Sequence, residues 1–274
     1  MMATLPAQAP TLTEEKAHLE RERQWLFTHI FPRSLPPVLE GLQECRELLQ
    51  HADTTLPLTS RETERLKGLV TRQGSLLVKG DFRIRLPGLS AQRVALNADK
   101  AMTLPQVAEV AHLVDISIAS CQHALQPDTA KRVVDDLLDN LREASACLKE
   151  PKLTETFPLA ELPGTRFSPI LEEPVAMDLC IRDASLVADV YLLQDRKQSS
   201  NVFAKINRLA SGSQGGGGEA HHGGFVRFRG RDVRVVEHVR VESQDPALVA
   251  VMTKLAALTH SVEQIGLKIA ATAS

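Results

Sequence analysis

The residues of this sequence best suited to recognition chemistry are arginines and a histidine close to its C-terminal end. Read as a hairpin turning about Gly230-Arg231, the stretch from Phe225 to Val241 places Arg227 and Arg229 on one face of the outgoing strand. Arg234, His238 and Arg240 share a face of the returning strand, because side chains alternate across a strand, and Val233, Val235, Val239 and Val241 then point to the core. A patch of this kind suits an acidic protein partner, and a merely solvated sheet face is the alternative. The other titratable groups converge less well. His221 and His222 sit beside each other in a glycine tract, where two adjacent residues fix no tetrahedral metal shell. His112 and His123 fall about three helical turns apart, too far for one ion. Asp135-Asp136 and Glu172-Glu173 are neighbours on polar stretches, not opposed carboxylates. The glycines run into Glu219-Ala220-His221-His222, not into the G-K-[ST] ending of a phosphate loop, and neither a G-x-S-x-G elbow nor an H-E-x-x-H pair occurs. The expectation is a protein with no catalytic residue, no metal and no cofactor.

Composition narrows the partners. In 274 residues, 32 Lys plus Arg meet 34 Asp plus Glu, a formal net charge of −2, so nothing global drives the chain onto nucleic acid or an anionic membrane. An aromatic fraction of 4% argues against stacking platforms for single strands. Hydrophobic residues at 43% and charged residues at 24% are ordinary for a folded chain of one large or two modest domains. Cys45, Cys121, Cys147 and Cys180 are scattered without a C-x-x-C pair, which fits a reducing compartment. With neither a signal-peptide pattern at the start nor an apolar run of about 18 residues, the reading is a soluble cytoplasmic protein without membrane insertion.

The elements that must carry the arginines follow from hydrophobic period. A charged first helix begins near Thr13 and ends near Phe31-Pro32; Ser34 caps a second with Pro36 and Pro37 in its first turn. Leu35, Val38, Leu42, Cys45 and Leu49 then step by three and four, a heptad seam. The same spacing recurs in Leu104, Val107, Ala111, Val114, Ile118, Cys121 and Leu125, in Val134, Leu137, Leu141, Ala144 and Leu148, and in Leu248, Val251, Leu255, Leu258, Val262, Ile265 and Ile269. Asp53 to Ser60 reads as a polar link, and Arg61 to Lys67 as a short helical turn. From Leu76 the period is two, with Leu76, Val78, Phe82, Ile84 and Leu86 inward and a bulge or bend at Gly80; Val175 to Ile181 and Leu186 to Leu193 form a hairpin about Asp183-Ala184-Ser185. The fold class expected is α+β in two lobes. Residues 13–52, 103–150 and 244–272 build an antiparallel helix bundle, residues 66–98 and 165–242 a mostly antiparallel β lobe, and residues 1–12 and 196–224 are flexible. Short seams cut by proline favour packing within one chain, hence a monomer, over a zipper between chains.

Several stretches, in order and spacing, resemble the Rogdi family: Arg23-Gln-Trp-Leu26, Leu66-Lys-Gly-Leu-Val-Thr-Arg-Gln-Gly74, Arg166-Phe-Ser-Pro169, Val190-Tyr-Leu-Leu-Gln194 and Val235-Val-Glu-His-Val-Arg-Val-Glu242. The likeness spans nearly the whole chain. It implies a non-enzymatic small subunit of the regulator of the ATPase of vacuoles and endosomes, a scaffold for reassembly of the peripheral and membrane sectors of that proton pump. The partners so implied are a large WD40-propeller subunit, peripheral-sector subunits of the ATPase and a small ubiquitin-ligase adaptor, with peripheral recruitment to vacuolar and endosomal membranes. The glycine tract reads as an insertion pointing to a fungal member, and Pro32, Pro36 and Pro37 break with a straight first helix. The readings from other classes are an enzyme with a site assembled between the lobes and a homodimeric zipper adaptor.

Overall fold

A computed structural model describes residues 12–51, 53–59, 64–97, 99, 101–122, 129–171, 173–196 and 224–272. The flexible segments expected at 1–12 and 196–224 therefore lie outside the described residues except for Leu12, Arg196 and Gly224, as do His123, Glu172, His221 and His222.

The first helix does not stop at Pro32. Helix α1 (Leu12–Trp25) passes through a π-helical turn at Leu26–Ile30 straight into α2 (Phe31–His51), with Pro36 and Pro37 inside α2. The π turn sits where the prolines withhold N–H groups: the Phe31 amide bonds back to the Leu26 carbonyl. Two hydroxyls also bond back along the helix, Thr28 Oγ1 donating to Gln24 O at 2.7 Å and Ser34 Oγ to Ile30 O at 3.0 Å. A widened turn lets the helix run on into proline. Ser34 is thus a mid-helix donor, not a cap.

Helices α3 (Pro105–Gln122), α4 (Ala130–Lys149) and α5 (Pro246–Ala271) complete the helical half, in which α2 packs on α3 and α5, and α4 packs on the same two. The seams meet within this closed square. Val38, Leu42, Cys45 and Leu49 of α2, all of the expected α4 seam, and all of the expected α5 seam are buried. On α3 Val107, Val114 and Ile118 of the expected seam are buried, Ala111 and Cys121 are half-buried, Leu125 lies outside the described residues, and the buried face also takes in Gln106, Val110, Leu113 and Ser117.

The strands form two antiparallel sheets. The first has the order β1 (Asp53–Thr59), β2 (Leu66–Gln73), β3 (Leu76–Ile84), β4 (Gln92–Leu96), β6 (Phe167–Ser168), with β5 (Met102–Thr103) on β3; the second has the order β7 (Val175–Arg182), β8 (Ser185–Asp195), β10 (Arg231–Gln244), β9 (Val226–Phe228). The stretch read as a polar link is thus edge strand β1, where Pro57 is tolerated because an edge has unpaired positions. Of the stretch read as a helical turn, Arg61 to Thr63 lie outside the described residues, while Glu64 and Arg65 bend and Leu66 starts the strand. The bulge lies at Val78, which pairing skips between Lys79↔Thr71 and Leu77↔Arg72, so Leu77 is buried and Leu76 points out. Gly80 stays in register opposite Val70; its missing Cβ admits Leu96, whose Cδ1 would lie 2.8 Å from it. One continuous apolar core joins the bundle to the inner faces of both sheets, while Leu162, Ala176, Leu193, Phe228 and Val233 make a smaller cluster on the second sheet's other side.

Polar groups fasten the halves together. The β7–β8 turn, with Asp183 at φ 45° and Ala184 at φ 57°, sends its two amides to Lys149 O and Leu148 O, the terminal carbonyls of α4, at 2.9 Å each. Gln106 Nε2 donates to Cys147 O at 2.9 Å and Ile181 O at 2.7 Å, and its Oε1 accepts from Ile181 N at 2.7 Å. Arg72 and Asp245, both wholly buried, join β2 to the start of α5: Nε to Oδ2 is 2.6 Å, while Asp245 Oδ1 accepts from Ala247 N and Leu248 N as the helix cap.

Candidate functional site

The hairpin that carries the five candidate residues turns at Arg229-Gly230, with φ of 48° and 76°, one residue earlier than the sequence spacing suggested. Two left-handed residues in a row are the tight turn that matches strand twist, and glycine supplies one without strain. Arg229 therefore lies in the turn, beside rather than on the face of β9, with its guanidinium 4.8 Å from the Phe228 ring centroid. Arg227 and Arg229 border a groove of about 550 Å³ whose other wall is the segment Pro158 to Pro163. Leu159 at its lip is 63% exposed. Arg231 is not free to contribute: it forms a bidentate pair with Glu173, a contact that draws that carboxyl below its ordinary value.

The returning strand does not present Arg234, His238 and Arg240 together. Pairing with β8 skips Val236 between Val235↔Leu193 and Glu237↔Leu192, so this bulge turns every later side chain to the opposite face. Val233 and Val235 join the small outer cluster, whereas Val239 and Val241 join the main core. Arg234 lies across from Gln194 and bonds its Oε1 at 2.8 Å. His238 lies across from Tyr191, and Arg240 from Asp189, on the other side of the sheet. The expectation that all three cations share one face is corrected by that single inserted residue.

His238 and Arg240 instead clamp a buried carboxylate. Asp189 is 1% exposed and accepts from Arg240 Nε at 2.8 Å and Nη2 at 3.0 Å, while His238 Nε2 lies 2.7 Å from its Oδ1. Burial pushes the Asp189 carboxyl up, but the bonds from His238 and Arg240 outweigh it and hold it below its ordinary value. Directly across on β7 is Asp178, also buried, raised first by burial and then by the charge of Asp189, with Phe157 N donating to it at 3.2 Å. Over the pair, Phe157, Tyr191 and His238 stack in sequence, with centroid separations of 4.3 and 4.7 Å. Sequence reasoning missed Asp178 and Asp189. The signal was there: each is a lone carboxylate inside an otherwise apolar strand.

A histidine on a buried aspartate is half of a nucleophile-activating triad, but the thiol of that face, Cys180, is pushed up to about 12 by burial. Cys45 and Cys121 are raised to about 11 for the same reason, and all four cysteines are free. No group of His, Cys, Asp and Glu able to hold a metal ion is found among the described residues. No described helix is long and apolar enough to cross a membrane. What the hairpin end offers is a cationic rim on an apolar groove, the chemistry of a protein contact.

Comparison with known proteins bears on which contact. The profile of the family described as "Rogdi leucine zipper containing protein" matches residues 22–270. A fission yeast (Schizosaccharomyces pombe) protein named "Regulator of V-ATPase in vacuolar membrane protein 2" is 22% identical over 283 residues, covering 89% of this chain and 91% of the yeast one.

Proposed function

The chain belongs to the Rogdi leucine zipper family, and from that premise we propose that it regulates the vacuolar proton-pumping ATPase as a non-enzymatic scaffold. In this reading it is the small subunit of the regulator of the ATPase of vacuoles and endosomes, promoting reassembly of the pump's peripheral and membrane sectors. It works in the cytoplasm and is recruited peripherally to vacuolar and endosomal membranes. Its partners are the large WD40-propeller subunit, peripheral-sector subunits of the pump and the small ubiquitin-ligase adaptor; on its own it is a monomer. The observation that carries the reading is the end-to-end likeness to a vacuolar ATPase regulator, since 89% of this chain aligns with it.

The division of labour follows the fold. The helical lobe, 13–52, 103–150 and 244–272, fills its own seams and supplies rigidity. The β lobe, 66–98 and 165–242, carries the docking groove, where Arg227 and Arg229 flank an apolar floor and meet an acidic, partly apolar surface of the large subunit.

Affinity capture from cell lysate followed by mass spectrometry tests this. Recovery of ATPase and propeller subunits by the wild-type chain, and their loss with Arg227→Glu/Arg229→Glu, is the expected result; a capture free of both sets of subunits overturns the scaffold reading. Light scattering tests the oligomeric state: a stable dimer dissolved by Leu255→Asp without unfolding makes the seams intermolecular.

A further inference from the structure

The open face of the first sheet carries a feature that the hairpin reading does not use. Lys67 of β2 is paired directly with Arg83 of β3, and Arg83 directly with Arg93 of β4. Three cations thus stand in register across three neighbouring strands, a row roughly 10 Å long at the usual strand spacing. Like charges placed directly opposite one another in a sheet destabilise it. Exposed Lys79 and Arg85 extend the same face.

Two carboxylates are tied to the ends of this row and leave Arg83 at its centre, with Lys79 on the same strand and Arg85 just past its end, without an ion pair among the described residues. Glu64 lies 2.6 Å from Lys67, and Asp81 lies 2.5 Å from Arg93. Both carboxyls are held below their ordinary values, first by those hydrogen bonds. The side chains of Lys79, Arg83 and Arg85 have no hydrogen bond or salt bridge among the described residues. In a chain whose net charge is −2, this is a concentrated field of the opposite sign.

Shape and an apolar spot go with the charge. Lys67, Leu69, Arg83, Gln92 and Arg93, with Asp81 held on Arg93, line a cleft of about 670 Å³. Leu69, 52% exposed, sits one row from the cations, opposite Asp81. A large apolar side chain left in water among guanidinium groups is the pattern of a contact surface with an anchor and a charged rim.

We propose that this face is a second docking site, and that its occupant is an acidic polypeptide segment with a bulky apolar residue. The carboxylates would meet Arg83 and its neighbours in the fork geometry that guanidinium favours, and the apolar residue would cover Leu69. An anionic bilayer fits less well, because these residues line a cleft rather than stand on a plane that flat headgroups would meet. The site is separate from the groove at Arg227 and Arg229 and stands whether or not that groove binds the large subunit.

The test uses the full chain, labelled with nitrogen-15, titrated with a short soluble peptide of Asp and Glu around one central Leu. The expected result is amide shifts at Gly68, Leu69, Arg83 and Arg93, binding that weakens with added salt, and a loss of about tenfold or more in affinity for Arg83→Glu. Arg83→Glu should melt no lower than wild type, since it turns two repulsive pairs into attractive ones. Should it fold poorly, Arg83→Gln removes the charge alone and must still weaken binding. Shifts confined to Arg227–Gly230, affinity unchanged in both Arg83 variants, or Arg83-dependent sedimentation with phosphatidylserine vesicles in place of peptide binding would each overturn the assignment.

Discussion

Two arginine–aspartate pairs lie near the end of strand β10, and they do opposite work. Arg72 and Asp245 are both wholly buried and spend their bonds within the fold: Asp245 caps α5, while Arg72 Nη1 also reaches Gly74 O at 2.6 Å. In the other pair Asp189 is buried but Arg240 has 44% of its side chain exposed, and His238 beside it has 29%. The first pair is sealed at the junction of helix bundle and sheets; the second is open on one side. Burying both partners makes an ion pair a structural clamp that tolerates no loss, whereas an exposed cation over a buried anion remains reachable by a partner.

Breaking the sealed pair gives the largest effect. Asp245→Ala strips the cap from α5 and leaves the Arg72 charge uncompensated in the core, which costs about 3 to 5 kcal/mol for the lost partner and roughly 1 more for the cap. Chemical denaturation should show this, with Asp245→Asn milder because its side-chain oxygen still accepts from Ala247 and Leu248. Replacing both partners together, Arg72→Met with Asp245→Asn, should be less harmful than Asp245→Ala alone. If Asp245→Ala unfolds like a surface variant, the junction is not where the halves are held.

Gln106 belongs to the same junction and ranks next. Gln106→Leu keeps the volume but orphans Ile181 N and the carbonyls of Cys147 and Ile181, so a loss of about 1 to 3 kcal/mol is expected from the desolvated groups. Hydrogen exchange should quicken first at Ile181, where the lost acceptor protects the amide.

The open pair sharpens the comparison through pH, because its two aspartates carry opposite signs. Asp189, lowered in the folded state, adds stability above the ordinary aspartate value, and that stability is lost as pH falls through its depressed pKa. Asp178, raised by burial, is the reverse: its contribution is favourable at low pH and is lost as pH rises from the ordinary value through the raised one. Asp189→Asn should thus lower stability at neutral pH, and Asp178→Asn should raise it, by about 1 kcal/mol each, read as shifts of the melting temperature in opposite directions. Both differences should shrink on acidification below about pH 4, where the unfolded chain's aspartates are protonated. Equal signs at neutral pH would show that the two carboxylates titrate as one shared group.

Sequence reading succeeded where a repeating period was unbroken and failed at single residues that break one. All seven seam positions of α5 and all five of α4 are buried, because a long amphipathic helix declares its face many times over. Strand faces rest on a few alternations, so Val236 and Val78, one inserted residue each, reversed the faces beyond them. A bulge has no composition of its own. The π turn before Pro32 was equally hidden, since proline in sequence announces a helix end and only the widened turn explains why none occurs. Arg72 was legible in principle: it continues the inward parity of Leu66 and Val70 on β2, but a charged residue is read as outward by default. Among the candidate site residues, Arg227 and Arg229 come together at one groove; Arg234 bonds Gln194 and does not line it, and His238 and Arg240 lie beyond the Val236 bulge.

The smallest effect on stability should come from the hairpin end, where the effect on binding should be large. Arg227 is exposed, and Arg229 gives up only its stacking on Phe228, so Arg227→Glu/Arg229→Glu should cost about 1 kcal/mol or less. Charges at a rim act mostly on encounter, so association with the proposed partner should slow, most visibly at low salt where screening is weak. Arg234 supplies the control that the sequence alone would not have suggested. It belonged to the expected patch, yet it is bonded to Gln194 of β8 and does not line the groove. Arg234→Glu changes net charge by the same amount as either of the others, so it separates a local groove from a general electrostatic attraction. A rate that falls for Arg227→Glu and Arg229→Glu but holds for Arg234→Glu places the contact at the groove; a rate that falls equally for all three means that the partner senses overall charge and the groove is not its site.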